Sequence, residues 1–214
     1  MSKMKIDILG SGDVGKVLGA GFAKLGHEVK IGSRDPNKLK EWVSNNGANA
    51  SSGSFEEAAK FGDVIILATL WNGTENALKL AGPDNFAGKV VMDAVNPLNF
   101  SDKGPSLAIG HTDSAGEQIQ RWLPKARVVK AFNIVGNAHM VNPSFPEGTP
   151  DMFICGNDAD AKKTVAELSK SIGWPIVDLG GIESSRYLEP LAMVWITYFF
   201  QTKTWNHAIK LLRK

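Results

Sequence analysis

A glycine string set between a strand and a helix leaves this chain few folds to choose from. Gly10-Ser11-Gly12-Asp13-Val14-Gly15 follows the β-branched run KIDIL at 5 to 9 and opens a segment, Val14 to Leu25, whose apolar residues recur at helical spacing. In that context each glycine has its own task. Gly10 permits the tight turn, Gly12 lets backbone approach a pyrophosphate, and Gly15 allows the helix to pack closely on the strand. The amides of residues 11 to 14, at the positive end of the helix dipole, are placed to hold the phosphates.

The rest of the chain repeats the alternation. Strand-like runs stand at 28 to 32 (EVKIG), 63 to 69 (DVIILAT), 89 to 95 (KVVMDAV), 126 to 132 (ARVVKAF), 151 to 156 (DMFICG) and 175 to 180 (PIVDLG). Between them, Pro36 to Ser44, Thr74 to Leu80, Ala115 to Trp122 and Ala159 to Ile172 carry helical periodicity. Strand-helix alternation predicts an α/β fold of Rossmann type, a doubly wound and mostly parallel sheet covered on both faces, with a small C-terminal α/β and helical extension. The expected division is a dinucleotide-binding part over 1–135 and a smaller part over 136–214 that completes an acceptor site. Asp35 before Pro36 reads as a helix N-cap, and Gly26 and Gly173 fall just past helix ends. The least regular stretches, 97 to 111 and 136 to 150, belong outside the carboxyl ends of the strands, where open α/β sheets bind ligands.

Just past the second strand stand Ser33 and Arg34, where a carboxylate would select the unphosphorylated adenine ribose. Instead the repelling charge is absent and a guanidinium is available for bidentate contact with a 2′-phosphate. Lys38, one helical turn on, offers a second positive charge. Asp35 is better explained as the cap than as the missing carboxylate. The coenzyme implied is NADP(H).

The ribose and nicotinamide should then pass Thr69, Leu70 and Trp71 after one strand, and Ala94, Asn96 and Pro97 after the next. Asn96-Pro97 suits a rigid turn whose asparagine amide is free to bond the cofactor, and Trp71 fits the nicotinamide side or the core equally well. Small and polar residues from Asn133 to Asn137 leave room for a flat second ligand. No acid or base stands out: nothing orients His139, and Lys130, inside a strand, reads as structural or solvent-facing. A metal-ligand cluster and a nucleophile elbow are both missing from the sequence. Hydride transfer between two preorganised rings needs alignment more than a proton donor.

At 214 residues with a net charge of +2 and scattered basic residues, nucleic acid is not the expected partner. The single cysteine, Cys155, reads as a buried strand thiol. The longest apolar block, Leu191 to Phe200, is too short to span a membrane and reads as a buried helix, so a cytoplasmic location is expected. The segment Leu188 to Leu212 has more Trp, Phe and Leu than one helix face buries, which suggests a homodimer.

Together GSGDVG, IGSRDPNKL, ATLWNG, VVKAFN and DLGGIESSRYLEPL resemble the family of NADPH-dependent deazaflavin (coenzyme F420) reductases and the related soluble domain of six-transmembrane metalloreductases. The resemblance covers nearly the whole chain. It implies a dimeric enzyme holding NADP on Gly10 to Gly15, with the 2′-phosphate on Ser33, Arg34 and Lys38. It also implies an isoalloxazine-like ring near Asn133, Ile134, Val135 and Asn137, the acceptor being FMN, FAD or coenzyme F420. Deazaflavin reductases usually carry a histidine and a proline where this chain has Asn133 and Gly136, and the Phe132-Asn133 pair is that of the metalloreductase-like domains. Two other readings are a reductase of a small imine or carbonyl substrate, and a sensor that binds NADP without turnover.

Overall fold

The computed structural model describes residues 2–102 and 104–213. Strand β1 (Lys5–Leu9) leads through helix α1 (Asp13–Lys24) to β2 (Glu28–Gly32), and a 3-10 turn at Pro36–Leu39 leads into α2 (Lys40–Asn46). Next come β3 (Ala50–Gly53), α3 (Phe55–Phe61), β4 (Val64–Leu67), α4 (Trp71–Ala81) and β5 (Val90–Asp93). A hairpin of β6 (Leu98–Ser101) and β7 (Gly104–Leu107) precedes α5 (Ala115–Trp122) and β8 (Arg127–Lys130). The chain closes with β9 (Met152–Gly156), α6 (Ala159–Ser171), β10 (Ile176–Asp178) and α7 (Ser185–Thr202).

Eight strands form one sheet in the order β10-β9-β8-β5-β4-β1-β2-β3. The chain winds outward from β1 to β3 on one side and from β4 to β8 on the other, so the winding reverses between β1 and β4. This is the switch point at which a doubly wound sheet opens a crevice. The pairings from β3 to β8 are all parallel, whereas β9 runs antiparallel to β8. One antiparallel pairing fits a mostly parallel sheet: only a short 3-10 turn lies between β8 and β9, so no α-helical crossover carries the chain back to the starting edge. Two large buried clusters cover the sheet, one around Leu18, Phe22, Leu168 and Trp174, the other around Phe86, Leu78 and Ile119.

Three elements differ from the sequence expectation. Strand β3 reads ASSG, too polar to register as a strand, yet it pairs with β2 throughout. Helix α3 is held by a capping box in which Ser54 accepts from the Glu57 amide and Glu57 accepts from the Ser54 amide, a signature that the Ser54-x-x-Glu57 spacing carries. The irregular stretch from 97 contains the β6–β7 hairpin. Two further readings change. The run Leu191 to Phe200 is helical but only half-buried: Trp195 and Ile196 face inward, while Val194 is 62% and Tyr198 52% exposed. Lys130, in contrast, is wholly out of solvent.

Asp7 sits in the middle of β1 with both carboxylate oxygens shut away and without a well-formed hydrogen bond. Burial drives its carboxyl well above the usual carboxylate range, and Lys89 and Lys30 oppose this only partly. An unfolded chain releases the same proton near the ordinary carboxylate pKa, so the fold loses stability as pH rises from there toward the folded value. Asp7→Asn should therefore raise the melting temperature at neutral pH by about 2–4 °C, the shift that roughly 1 kcal/mol makes in a chain of this size. It should also flatten that decline; thermal melts from mildly acidic to neutral pH check both.

Candidate active site

Each glycine of the turn does what its position requires. Gly10 has φ +127°, and a Cβ there would lie 2.3 Å from the Ala68 carbonyl oxygen at the end of β4. A Cβ at Gly15 would lie 2.2 Å from the Gly10 carbonyl oxygen, so α1 can pack this closely only without a side chain. Gly12 is the exception, with nothing within 4 Å of its Cβ position. It is also the N-cap of α1, and no side chain caps the helix. The first-turn amides therefore face open space, and an anion is the partner that such donors and the helix dipole favour. On either side of Gly12, Ser11 and Val14 are half-buried and Asp13 is exposed. The turn fits a dinucleotide pyrophosphate.

Past β2, the Ser33 hydroxyl donates to Ser11 Oγ at 3.2 Å and accepts from the Asp35 amide at 3.2 Å. One hydroxyl thus joins the glycine turn to the next loop. Arg34 is exposed and has neither an ion-pair nor a hydrogen-bond partner among the described residues. Asp35 caps the following 3-10 turn, accepting from the Asn37 amide at 3.2 Å, and its carboxylate lies 4.0 Å from the exposed Lys38 ammonium.

Beyond β4, Thr69 Oγ1 lies 2.8 Å from Thr74 Oγ1, and Leu70 is exposed at the uncapped start of α4. Trp71 stacks on Trp122 with ring centroids 5.5 Å apart and packs against the cluster around Phe86. Its ring is occupied by core packing. Beyond β5, the Asn96 amide is not free, as the sequence suggested: its Nδ2 donates to the Asn133 carbonyl at 2.6 Å, and its Oδ1 accepts from Asn133 Nδ2 at 3.1 Å. Pro97 is buried behind this pair.

A cavity of about 370 Å³ opens where β5 and β8 end, between the start of α1 and the β6–β7 hairpin. Val14, Ala94, Asn96, Asn133 and Val135 line its sheet side, and Trp195, Ile196, Phe200 and Trp205 its far wall. The mixture, largely apolar with two amides, suits a flat ring that must be gripped and shielded from water. Phe132 turns the chain into it with φ +61°, a left-handed conformation uncommon for an aromatic residue. Of the expected acceptor residues, Asn133 and Val135 line the cavity. Ile134 points the other way, into a cluster with Phe153, Cys155 and Leu188, and Asn137 opens a short 3-10 turn. Asn133 Oδ1 is buried without a partner, an acceptor left over at the cavity wall. His139 lies against Phe145 and 3.2 Å from Asn206, away from the lining. The thiol of Cys155 is buried, and burial pushes it up to about 11.

The far wall is what the sequence reading missed. The aromatic excess after Leu188 was visible, but Trp195 reaches the cavity from the inward face of α7, and Trp205 joins it only because the chain reverses at Lys203, with φ +58°, and lays its end back along the helix. There Trp205 stacks on Phe199 at 3.5 Å between centroids.

A doubly wound sheet, an open glycine turn at its switch point, and an unpaired arginine beyond the second strand define a dinucleotide-binding protein of Rossmann type. A family model described as NADP oxidoreductase, coenzyme F420-dependent, matches residues 5–97. The chain is 33% identical to the F420-dependent NADP reductase of Methanocaldococcus jannaschii, over 97% of this chain and 98% of that protein. Its fold superposes with a TM-score of 0.93 on the crystal structure of a candidate F420-dependent NADP reductase from Arthrobacter sp. FB24, at 40% identity and over 98% of this chain and all of the other. It is also 30% identical to Metalloreductase STEAP3 of Rattus norvegicus over 88% of its own length, but spans only 36% of that protein. The chain belongs to the family of coenzyme F420-dependent NADP oxidoreductases, and is an NADP(H)-dependent oxidoreductase.

Proposed function

We propose that this chain transfers hydride between NADP(H) and a deazaflavin acceptor of the coenzyme F420 type. The observation that carries the reading is the cavity: it begins at Val14, inside the glycine string, and ends on the aromatic wall of α7. A ligand laid on the turn therefore leads directly into it. Gly10 to Gly15 hold the pyrophosphate, and Ser33, Arg34 and Lys38 hold the 2′-phosphate. Thr69, Leu70, Ala94 and Asn96 flank the ribose and ring. The two rings supply the redox chemistry, one giving the hydride that the other takes. The protein's part is to hold two planes in register and keep water out. Asn96 and Asn133 fix each other, and Asn133 Oδ1 offers its spare acceptor to a ring or carboxamide N–H. The apolar wall excludes solvent.

On this reading residues 1–135 bind the coenzyme, and 136–214 complete the acceptor site by supplying the α7 wall. The exposed apolar face of α7, with Tyr187, Val194 and Tyr198, is the surface we assign to a homodimer. None of the described helices is long and apolar enough to cross a membrane, which supports the cytoplasmic location we assign to this activity.

Mixing the pure protein with NADPH and coenzyme F420, and in parallel with FMN or riboflavin, tests the activity through loss of nicotinamide absorbance. Oxidation is expected with the deazaflavin. Turnover with FMN alone would move the acceptor to an ordinary flavin; persistence of NADPH with all three would remove the reading.

A further inference from the structure

Behind the cavity lies an ionic cluster that the hydride transfer itself does not use. Lys130, at the end of β8, directs its ammonium at three acceptors: the Val95 carbonyl at 2.7 Å, Asp93 Oδ2 at 2.8 Å and Glu189 Oε1 at 3.1 Å. The ammonium donates to the Val95 carbonyl and pairs ionically with both carboxylates, and all three side chains are buried, Asp93 Oδ2 being held by charge and not by a well-formed hydrogen bond. Burial alone would lower the Lys130 ammonium, but Asp93 and Glu189 outweigh it and hold it charged.

The partners come from separate pieces of the fold. Asp93 ends β5 and also accepts from the Val95 amide at 2.9 Å, so Val95 is clamped at both its N–H and its C=O. The next residue is Asn96, whose amide lines the cavity. Glu189 lies in the second turn of α7 and accepts from the Ala115 and Gly116 amides at 3.0 and 3.1 Å, fixing the start of α5. Its neighbour Leu188 gives its carbonyl to Asn133 Nδ2 at 2.8 Å. Six residues beyond Glu189, the same helix presents Trp195 to the cavity. The packing leaves no slack, since a Cβ at Gly116 would meet Ser185 Oγ at 2.3 Å and Lys130 Cε at 3.1 Å.

We propose that Lys130 is a positioning residue for hydride transfer, its buried ammonium locking the turn that carries Asn96 to the helix that carries Trp195. The two walls of the cavity come from elements far apart in the chain. No covalent link sets their separation, and ring-to-ring transfer is steeply sensitive to it, a misplacement of about 1 Å costing roughly a hundredfold in rate. Most of the coenzyme affinity should not depend on the cluster, because the phosphates are held by the glycine turn and Ser33-Arg34, on the other side of the switch point, and only the ribose and ring pass Ala94 and Asn96.

This inference rests on the function proposed above, and its test separates the two. Lys130→Met strands two buried carboxylates and threatens the fold, so the decisive variant is the charge-free D93N/K130M/E189Q, which keeps side-chain size and leaves one acceptor at position 189 for the start of α5. NADPH affinity is read by nicotinamide fluorescence, kcat with coenzyme F420, and amide hydrogen exchange over 94–98 and 188–200. The expected result is affinity within about twofold of wild type, kcat lowered at least about tenfold, and faster exchange in both segments with none in α1. An unchanged kcat in a wild type that turns over would overturn the proposal. So would a loss of kcat matched by an equal loss of affinity, the mark of general damage. If the wild type does not turn over, the functional reading fails on its own and exchange decides the lock: faster exchange confined to the two segments supports it, unchanged exchange overturns it.

Discussion

Arg34→Ala lowers NADPH affinity about tenfold to a hundredfold and leaves NADH affinity within about twofold. A hydrogen bond to a charged group contributes about 1.5–3 kcal/mol, which is that range in a dissociation constant. Arg34 has no partner among the described residues to compete for its guanidinium, and it stands on the loop that Ser33 ties to the glycine turn. Arg34→Lys should recover part of the loss, since an ammonium restores charge without the bidentate fork. Titration of both coenzymes at fixed, low salt measures the effect, because raised ionic strength weakens an exposed contact of this kind. Equal losses for the two coenzymes would place the 2′-phosphate elsewhere.

The second large effect is on stability. Lys130→Met removes the cation between Asp93 and Glu189 and leaves two buried carboxylates unpaired, a change that typically costs about 3–5 kcal/mol. For a chain of this size that lowers the melting temperature by roughly 6–20 °C. Replacing all three charges together should recover part of the loss, because no charge is then left buried and unpaired, although the side-chain amide that replaces the Glu189 carboxylate can accept from only one of the two α5 amides and the Val95 carbonyl loses its donor. Chemical denaturation of the single and triple variants reads both numbers. A single variant as stable as wild type would mean that the carboxylates find another partner or another proton.

Much of the architecture could be read from the chain itself. Seven strands and five helices follow from β-branched runs and helical spacing, because parallel strands buried on both faces must be continuously apolar. Polar β3 escaped that rule. It lies at the edge of the sheet, paired on one side only, where a strand can form on backbone hydrogen bonds with little apolar surface. Trp71 and Asn96 show the limit for side chains. Both lie at the strand ends where open α/β sheets bind ligands, but one is taken by Trp122 and the other by Asn133, contacts separated by 51 and 37 residues that no local pattern encodes.

By itself the sequence determined the glycine turn, the strand and helix that flank it, and the cation beyond β2. These depend on backbone conformation and charge within a few residues, and residue type fixes both. Only the tertiary structure decided which aromatic residues close the cavity, that β9 runs backward, and that Lys130 is a buried tie. Each of these depends on which distant segments meet, and the meeting is set by packing of the whole sheet and its helices.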